Sequence, residues 1–341
     1  MLLLALVLLL NSTGCYHGHL AVGQVKLLCA RQPVAQLLDD PETDADLRAK
    51  LLLVQEARSF AATLGLEVQG QYTSYVPWPH DRIVTNIITT KPGTIEAANF
   101  RFPIVGEVPY KGFFDRERAE REAERLRASG MDVCMGAIRA YSTLGWFDDP
   151  LTAPMLNTTD ERLFETVIHE LVHATVFVKS QPDFNEGVAN FIGEEAVVLY
   201  YSQHAAESSA ASGTQRSGVN PRARIDDDRM IAATLMSLRD EIAQLYAEEL
   251  PEPERVRLRE SLEISGREKL ADLSLRSRSA LPLSKAARIN DACLAIQGTY
   301  VADTPKHQAV LEALDGDLER FVSRLRDAAS SDDPRTKFFA L

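Results

Sequence analysis

The chain has 341 residues, of which 45% are hydrophobic, and a formal net charge of −12 at pH 7. This size allows one large or two modest globular domains with a substantial hydrophobic core. The acidic balance argues against nucleic acid as a partner, because a phosphate backbone requires a basic surface. It also argues against electrostatic adhesion to anionic lipid, so any attachment to a membrane should come from an anchor.

The first ten residues are apolar and uncharged, and Asn11-Ser12-Thr13-Gly14-Cys15 follows them. Ten apolar residues are too few to span a bilayer as a helix, and a short apolar run before small residues is typical of a signal peptide. Gly14-Cys15 also fits a lipoprotein signal, although Ser12 stands where leucine is usual and no basic residue precedes the run. We expect residues 1–14 to be a lipoprotein-type signal peptide and Cys15 to be lipidated, with an ordinary cleaved signal as the alternative.

The residue after Cys15 is Tyr16, not the aspartate that commonly retains lipoproteins in the inner membrane. The expected location is therefore the cell envelope, lipid-anchored and facing the periplasm, and Tyr16 is consistent with the outer membrane. His17 and His19 are expected to belong to a flexible tether rather than to a second metal site. Lipidation of Cys15 leaves three cysteines, Cys29, Cys134 and Cys293, whose spacing allows one disulfide without selecting the pair.

The chain between the signal and the first strong motif predicts helices and then a small sheet. Residues 20–66 read as helices with a break at 37–41, and β-branched and aromatic residues alternate with turn signals over 72–110, which predicts a small antiparallel sheet. Residues 115–129 predict a highly charged helix with a solvated face. Residues 131–141 predict a further strand, joined by a loop to the helix that follows.

That helix carries the most informative motif, His169-Glu170-Leu171-Val172-His173. Positions i and i+4 of a helix lie on one face about 5–6 Å apart, so both imidazoles can reach one Zn²⁺ at about 2.0–2.1 Å. Glu170 points away from the pair and can take a proton from a water molecule that attacks a carbonyl. Residues 164–177 are apolar almost all round, as expected of a buried helix. The alternative is a core helix without metal, in which these polar groups would be buried at a cost of several kcal/mol.

Glu186 is the predicted third ligand. Pro182 cannot continue the first helix, and a second helix opening at Phe184 can bring Glu186 back over the histidine pair, thirteen residues after His173. The alternative for Glu186 is a capping box with Asp183 as the N-cap residue.

Three further polar residues of this second helix have predicted positions. Glu194 is the second choice as ligand, and otherwise Glu194 and Glu195 are expected to face solvent. Asn190, one turn after Glu186, is expected to hold the free ring nitrogen of a ligating histidine.

The remaining chain reads as a loop followed by helices. Residues 203–220 are rich in Ser, Ala and Gly and predict a mobile loop, after which 226–250, 252–273 and 307–328 predict long helices. The fold class is therefore α+β and predominantly helical. The small antiparallel sheet is expected to pack beside the helix that contains residues 169–173 and the following helix that contains Glu186. We expect an N-terminal helical segment over 15–66 and a metallopeptidase domain with C-terminal helices over 67–330.

Two motif segments resemble the gluzincin metallopeptidases: residues 169–173, and residues 184–191 after a short turn. Residues 102–115, residues 140–150 and the Gly14-Cys15 start narrow the resemblance to a family of bacterial lipoproteins described as predicted zinc aminopeptidases. The resemblance extends from Cys15 to about residue 325. It implies His169, His173 and Glu186 as ligands of one zinc ion and Glu170 as general base. The weak lipoprotein signal and the Ser/Ala-rich stretch depart from the family pattern.

The resemblance implies a zinc-dependent peptidase, an aminopeptidase by the family's description, whose partners are a peptide substrate and a membrane. In gluzincin-like enzymes a strand lines the cleft and pairs with the peptide, and here residues 136–138 are expected to do so. Tyr141 and Tyr300 are candidate donors to the oxyanion. The competing hypotheses are a peptide-binding or chaperone-like lipoprotein that keeps zinc for structure, and a zinc hydrolase of non-peptide amides. A structural site needs a fourth protein ligand, and His204 is the one His or Cys between His173 and Cys293.

Overall fold

The computed structural model describes residues 14–102, 106–140, 148–211 and 220–341. Helices dominate this part of the chain and the strands are short, which confirms the predominantly helical α+β class. The helices are α1 (Gly14–Cys29), α2 (Val34–Asp39), α3 (Ala45–Thr63), α4 (Arg116–Ala128), α5 (Ala153–Leu156), α6 (Asp160–Thr175), α7 (Pro182–Ala211), α8 (Pro221–Ala247), α9 (Glu252–Ala271), α10 (Ala280–Ala286), α11 (Asp291–Leu294), α12 (Gln297–Val301), α13 (Thr304–Ala313), α14 (Leu318–Ala329) and α15 (Pro334–Phe339). The strands are β1 (Gln32–Pro33), β2 (Ser74–Val76), β3 (Val84–Thr90), β4 (Phe100–Phe102), β5 (Gly106–Val108), β6 (Lys111–Phe113), β7 (Asp132–Ile138) and β8 (Leu151–Thr152).

The described strands form three small sheets instead of the single sheet expected from the sequence. One is antiparallel with strand order β6-β3-β7, and its longest ladder runs from the pair Val84–Ile138 to the pair Thr90–Asp132. A second has the order β1-β2-β8 and contains a parallel pair, and β4 with β5 forms an antiparallel hairpin. Strand β7 is therefore an edge strand, as expected for residues 136–138.

The largest hydrophobic core lies between α3, α6, α7 and the C-terminal helices α13, α14 and α15. Six apolar side chains of α6 are at most 1% exposed in this core: Leu163, Phe164, Val167, Ile168, Leu171 and Val172. On α7, Phe184 and Phe191 are buried to a similar degree and pack against aromatic residues of α14 and α15. Two helices packed into one core are rigid supports for the polar side chains that they carry.

Several element boundaries differ from the sequence-based expectation. Helix α7 continues to Ala211, so the first part of the loop expected over 203–220 is helical; its alanines are the strongest helix formers, and residues 212–219 lie outside the described part. The helix expected over 307–328 is two helices, because Asp315 (φ 59°) and Gly316 (φ 77°) adopt the left-handed conformation between α13 and α14. Helix α8 begins at Pro221, five residues earlier than expected, with the Asn220 side chain capping Ala223.

The N-terminal residues of the described chain form a packed helix. In α1, the His19 Nε2 atom accepts a hydrogen bond from the Phe114 backbone N–H at 3.0 Å, and the Tyr16 hydroxyl donates to the Gly112 carbonyl at 2.8 Å. The flexible tether expected for His17 and His19 is therefore wrong for His19. None of the described helices is long and apolar enough to cross a membrane.

One disulfide bond joins Cys134 of β7 to Cys293 of α11 across 159 positions of the chain. Both half-cystines are buried, and Cys29 is exposed and free. The sequence left the pairing open because the two residues are brought together by the packing of α11 on the sheet, which no local pattern encodes.

Candidate metal centre

Helix α6 positions both motif histidines on one face. Asp160 and Glu161 in its first turn complement the positive end of the helix dipole, and its apolar side chains bury the opposite faces. The helix ends at Thr175, and Val176 is extended with φ −138° and ψ 124°. His169 and His173 are thus held one turn apart by a helix whose rotation is fixed by the core.

The turn from α6 to α7 is held by Asn185, a residue that the sequence reasoning missed. Its side chain is buried, accepts a hydrogen bond from the Val178 N–H at 2.9 Å and donates to the Val178 carbonyl at 2.8 Å. Helix α7 begins at Pro182, so Asp183 lies within its first turn and the capping box with Glu186 is wrong. The one feature of the sequence that could have indicated a role for Asn185 is its position directly before the predicted ligand Glu186.

The three predicted ligands converge. The Nε2 atoms of His169 and His173 lie 3.1 Å apart, and the Glu186 Oε2 atom lies 3.4 Å from the first and 3.5 Å from the second. His173 is buried and the other two side chains retain a small exposed fraction. Within the described ranges, these residues form the one cluster of three or more His, Cys, Asp or Glu side chains that could hold a metal ion.

The electrostatics of the triad favour a carboxylate facing two imidazoles. Burial opposes the charge of Glu186, but hydrogen bonds with His169 and His173 hold the pKa of Glu186 well below its usual value. Burial also opposes a charge on His169, whereas Glu186, Glu170 and Glu165 together raise the pKa of that imidazole. The cluster therefore combines one anionic oxygen with two nitrogens that face the same point.

Glu170 is half-buried, and its negative charge affects the pKa of the Tyr72 hydroxyl. Burial raises the pKa of Tyr72 well above its usual value, and the negative charges of Glu170 and Asp149 raise it further. Tyr72 is buried and adopts the left-handed conformation at φ 60°, with its N–H donating to the Asp149 carbonyl at 2.8 Å. A non-glycine residue held in this conformation is frequently found at functional sites.

Tyr110 is a second aromatic residue that the sequence reasoning did not single out. It lies between β5 and β6, and 45% of the residue is exposed. Partial burial and the negative charge of Glu186 raise the pKa of Tyr110, which indicates that its hydroxyl is within electrostatic reach of the triad. The sequence signal was its place inside residues 102–115, one of the segments that carried the family resemblance.

Three expectations for α7 were wrong. Asn190 does not hold a histidine ring; its Nδ2 atom donates to Glu194 Oε1 at 3.0 Å. Glu194 and Glu195 are 6% and 9% exposed rather than facing solvent, and both pair with Arg229. Glu194 is thereby engaged away from the triad and is not its alternative ligand, although burial raises its pKa to about 7 against the opposing charge of Arg229.

Other predicted residues lie outside the triad. Tyr141 falls outside the described residues; Tyr300 lies in α12, a helix packed against α7, but its side chain is not described. Cys15 is in the first turn of α1, and its side chain is likewise not described. His204 is part of α7, where its ring contacts Tyr200 and its Nδ1 atom lies 2.9 Å from the Tyr200 carbonyl.

Comparison with known proteins gives one match. A family model described as "putative aminopeptidase" covers residues 15–339, nearly the whole chain. No curated protein and no solved structure matches the chain. The chain belongs to this family of putative aminopeptidases, which indicates a peptidase.

Proposed function

We propose that the chain is a zinc-dependent metallopeptidase in which His169, His173 and Glu186 hold one Zn²⁺ and Glu170 is the general base. The observation that carries this proposal is the convergence of two imidazole nitrogens and one carboxylate oxygen. Such a mixed nitrogen and oxygen set is common among catalytic zinc sites. The gluzincin resemblance of residues 169–173 and 184–191 supports the same assignment.

The spacing of the three atoms fits the ion. Ligand atoms about 2.1 Å from a tetrahedral Zn²⁺ lie about 3.4 Å from one another, and the observed separations are 3.1, 3.4 and 3.5 Å. Three protein ligands leave one position for water or substrate, whereas a structural zinc site has four protein ligands. Because no fourth ligand joins the cluster in the described chain, the catalytic hypothesis is favoured over a binding protein that retains zinc.

The chain's own residues have distinct roles in the proposed reaction. When bound, zinc supplies Lewis acidity, which lowers the pKa of a water molecule towards about 7 and polarises a carbonyl. Glu170 accepts the proton of the attacking water and then delivers it to the leaving amine. The hydroxyl of Tyr110 donates a hydrogen bond to the carbonyl oxygen as negative charge develops there.

The substrate proposed is a peptide, and the family description points to removal of an N-terminal residue. The outer edge of β7 offers a place for an extended peptide. The carbonyls of Val133 and Met135 on that edge accept hydrogen bonds from Asn290 and Arg288. Ala137, the next residue of this row, is exposed and can pair with a peptide backbone.

Glu170→Gln is the direct test of the mechanism. The variant should bind zinc like the wild type, because Gln keeps the shape of the side chain, while kcat falls by a factor of roughly a hundred to ten thousand. Zinc content by metal analysis and turnover of a peptide library with and without chelator would be measured together. Unchanged hydrolysis would remove Glu170 from the mechanism, and tight peptide binding without cleavage by the zinc-loaded wild type would favour the binding protein.

Matched peptides test the aminopeptidase assignment. We expect free peptides to be cleaved and their N-acetylated counterparts to be rejected, because an aminopeptidase requires the charged α-amine. Equal cleavage of both sets would instead indicate an endopeptidase. Simple amides added to the same assay would detect a hydrolase of non-peptide substrates.

We also propose that the protein is lipid-anchored at Cys15 in the cell envelope and faces the periplasm. The apolar first ten residues and Gly14-Cys15 support the anchor, and the disulfide between Cys134 and Cys293 is typical of an oxidising compartment. Mass spectrometry of the N-terminal peptide after membrane extraction tests this. A Cys15→Ser variant should lose the lipid and leave the membrane fraction, and an unmodified cysteine in the wild type would overturn the anchor.

A further inference from the structure

Charged side chains outside the metal triad connect the two ligand-bearing helices to α8. Arg224 pairs with Glu165 of α6 and, through its other terminal nitrogen, with Asp228 at 3.0 Å. Arg229 pairs with Glu194 of α7 at 2.7 Å and with Glu195 at 2.9 Å. Helix α8 thus holds Glu165 of α6 through Arg224 and Glu194 of α7 through Arg229, while Glu195 also pairs with Arg222 of the same helix.

The paired carboxylates are placed with respect to the ligands by helical spacing. Glu165 is four residues before His169, so it stands one turn below that histidine on the same face of α6. Glu194 accepts a hydrogen bond from Asn190 at 3.0 Å, and Asn190 is one turn after Glu186. Each arginine therefore restrains its helix within one or two turns of a ligand.

The two helices approach each other closely at the same level. A Cβ atom added at Gly193 would lie 3.0 Å from the Glu165 carbonyl oxygen and 3.6 Å from the His169 Cβ. Even a methyl group there would be tighter than a normal contact, so the α6 backbone would have to shift by a few tenths of an ångström away from α7. Gly193 therefore allows the close approach of α6 and α7 at His169, and the ion pairs with Arg224 and Arg229 of α8 hold the two helices in that position.

We propose that Arg224 and Arg229 are positioning residues that hold α6 and α7 at the separation where His169, His173 and Glu186 share one ion. Among the described residues, neither arginine forms a hydrogen bond or ion pair with the triad, and each acts through a carboxylate partner, Glu165 or Glu194. Residues that orient metal ligands commonly change metal affinity tenfold to a hundredfold when they are removed. This inference rests on the metal site of the proposed function.

The test measures zinc affinity and thermal stability separately, on the full chain. We would titrate metal-free Arg224→Met and Arg229→Met with zinc against a chelating dye and record the melting temperature of each metal-free protein. Arg259→Met is the matched control, since Arg259 and Asp291 form an equally buried pair (2.8 Å) between α9 and α11. Gly193→Ala probes the same spacing without removing a charge, so it serves where an arginine variant does not fold.

We expect the zinc dissociation constant to rise at least tenfold in Arg224→Met, Arg229→Met and Gly193→Ala. In Arg259→Met it should stay within twofold of the wild type despite a lower melting temperature. Equal zinc affinities in the α8 variants and the control would overturn the positioning role. Wild type that binds zinc but cleaves no peptide would overturn the peptidase proposal and leave the positioning result intact, whereas wild type that binds no zinc would overturn both.

Discussion

His173 and His307 are both buried, at 4% and 0% exposure, and the Nδ1 atom of each lacks a hydrogen-bond partner among the described residues, yet the side chains that face them differ. His173 faces His169 and the Glu186 carboxylate. His307 lies among Phe191, Phe321, Phe338 and Phe339, and neither of its ring nitrogens has a hydrogen-bond partner. Burial lowers the pKa of His307 to about 4.

The comparison teaches that burial alone does not determine what a histidine does. Beside a carboxylate, an imidazole is ready to bind a cation, because the anion offsets the charge that enters the site. In an aromatic pocket the same side chain stays neutral and acts as a packing group. The neighbouring side chains, rather than the histidine itself, distinguish the candidate metal site from a core position.

The largest expected effect comes from removing the carboxylate that distinguishes the two environments. Glu186→Ala should lower zinc affinity by more than a hundredfold because it removes a proposed ligand. Loss of a residue that only orients a ligand lowers metal affinity tenfold to a hundredfold, and loss of the ligand itself should cost more. Zinc titration of the metal-free protein measures the dissociation constant. Stoichiometric zinc with unchanged affinity in this variant would show that another residue completes the site.

His307→Leu should make the protein less sensitive to acid. Because the folded-state pKa of about 4 is below the ordinary histidine value of 6.5, the stabilising contribution of neutral His307 is complete above about pH 6.5. It is lost as pH falls towards 4, and it amounts to about 3 kcal/mol. Urea unfolding at pH 7, 5.5 and 4 should therefore show a smaller decline for the variant than for the wild type.

The control for that series is a change at His80, which is exposed and outside the aromatic pocket. His80→Gln should leave the decline between pH 7 and 4 as it is in the wild type. A decline in His307→Leu as steep as in the wild type would contradict the neutral packing role of His307.

Asn185→Ala should destabilise the turn that delivers Glu186. The variant leaves the N–H and carbonyl of Val178 without their buried partners, at a cost of about 2 kcal/mol. Urea unfolding gives the loss, and Asn185→Asp is an informative control because its carboxylate can accept from the N–H but repels the carbonyl. A loss below about 0.5 kcal/mol for both variants would be within the range of ordinary surface substitutions and would contradict the role.

The smallest effect is expected at Tyr110. Tyr110→Phe keeps the ring and removes the hydroxyl, so kcat should fall about tenfold while KM and zinc affinity change little. Steady-state kinetics on one peptide measure this, and Tyr246→Phe is the matched control, since it removes a hydroxyl that donates to Asp291 of α11. An unchanged kcat would exclude Tyr110 as the oxyanion donor.

The triad could be predicted because its information is local. His169 and His173 are one turn apart, and Glu186 returns after a short connection whose proline is visible in the sequence. The disulfide pair, the arginines of α8 and the pocket of His307 depend on contacts between distant segments, and no local pattern encodes them. Glu194 and Glu195 were placed in solvent for the same reason, since their arginine partners lie more than twenty residues away.

The disulfide between Cys134 and Cys293 closes nearly half of the chain into a covalent ring. The 159-position loop that it closes contains α6, α7 and α8 entirely, and with them every ligand of the proposed metal site. Fixing two such distant points lowers the entropy of the unfolded chain by an amount worth about 5 kcal/mol in the loop-closure model. A protease that cuts a surface turn within the ring would leave its two fragments joined through the disulfide, so a nicked molecule would remain in one covalent piece.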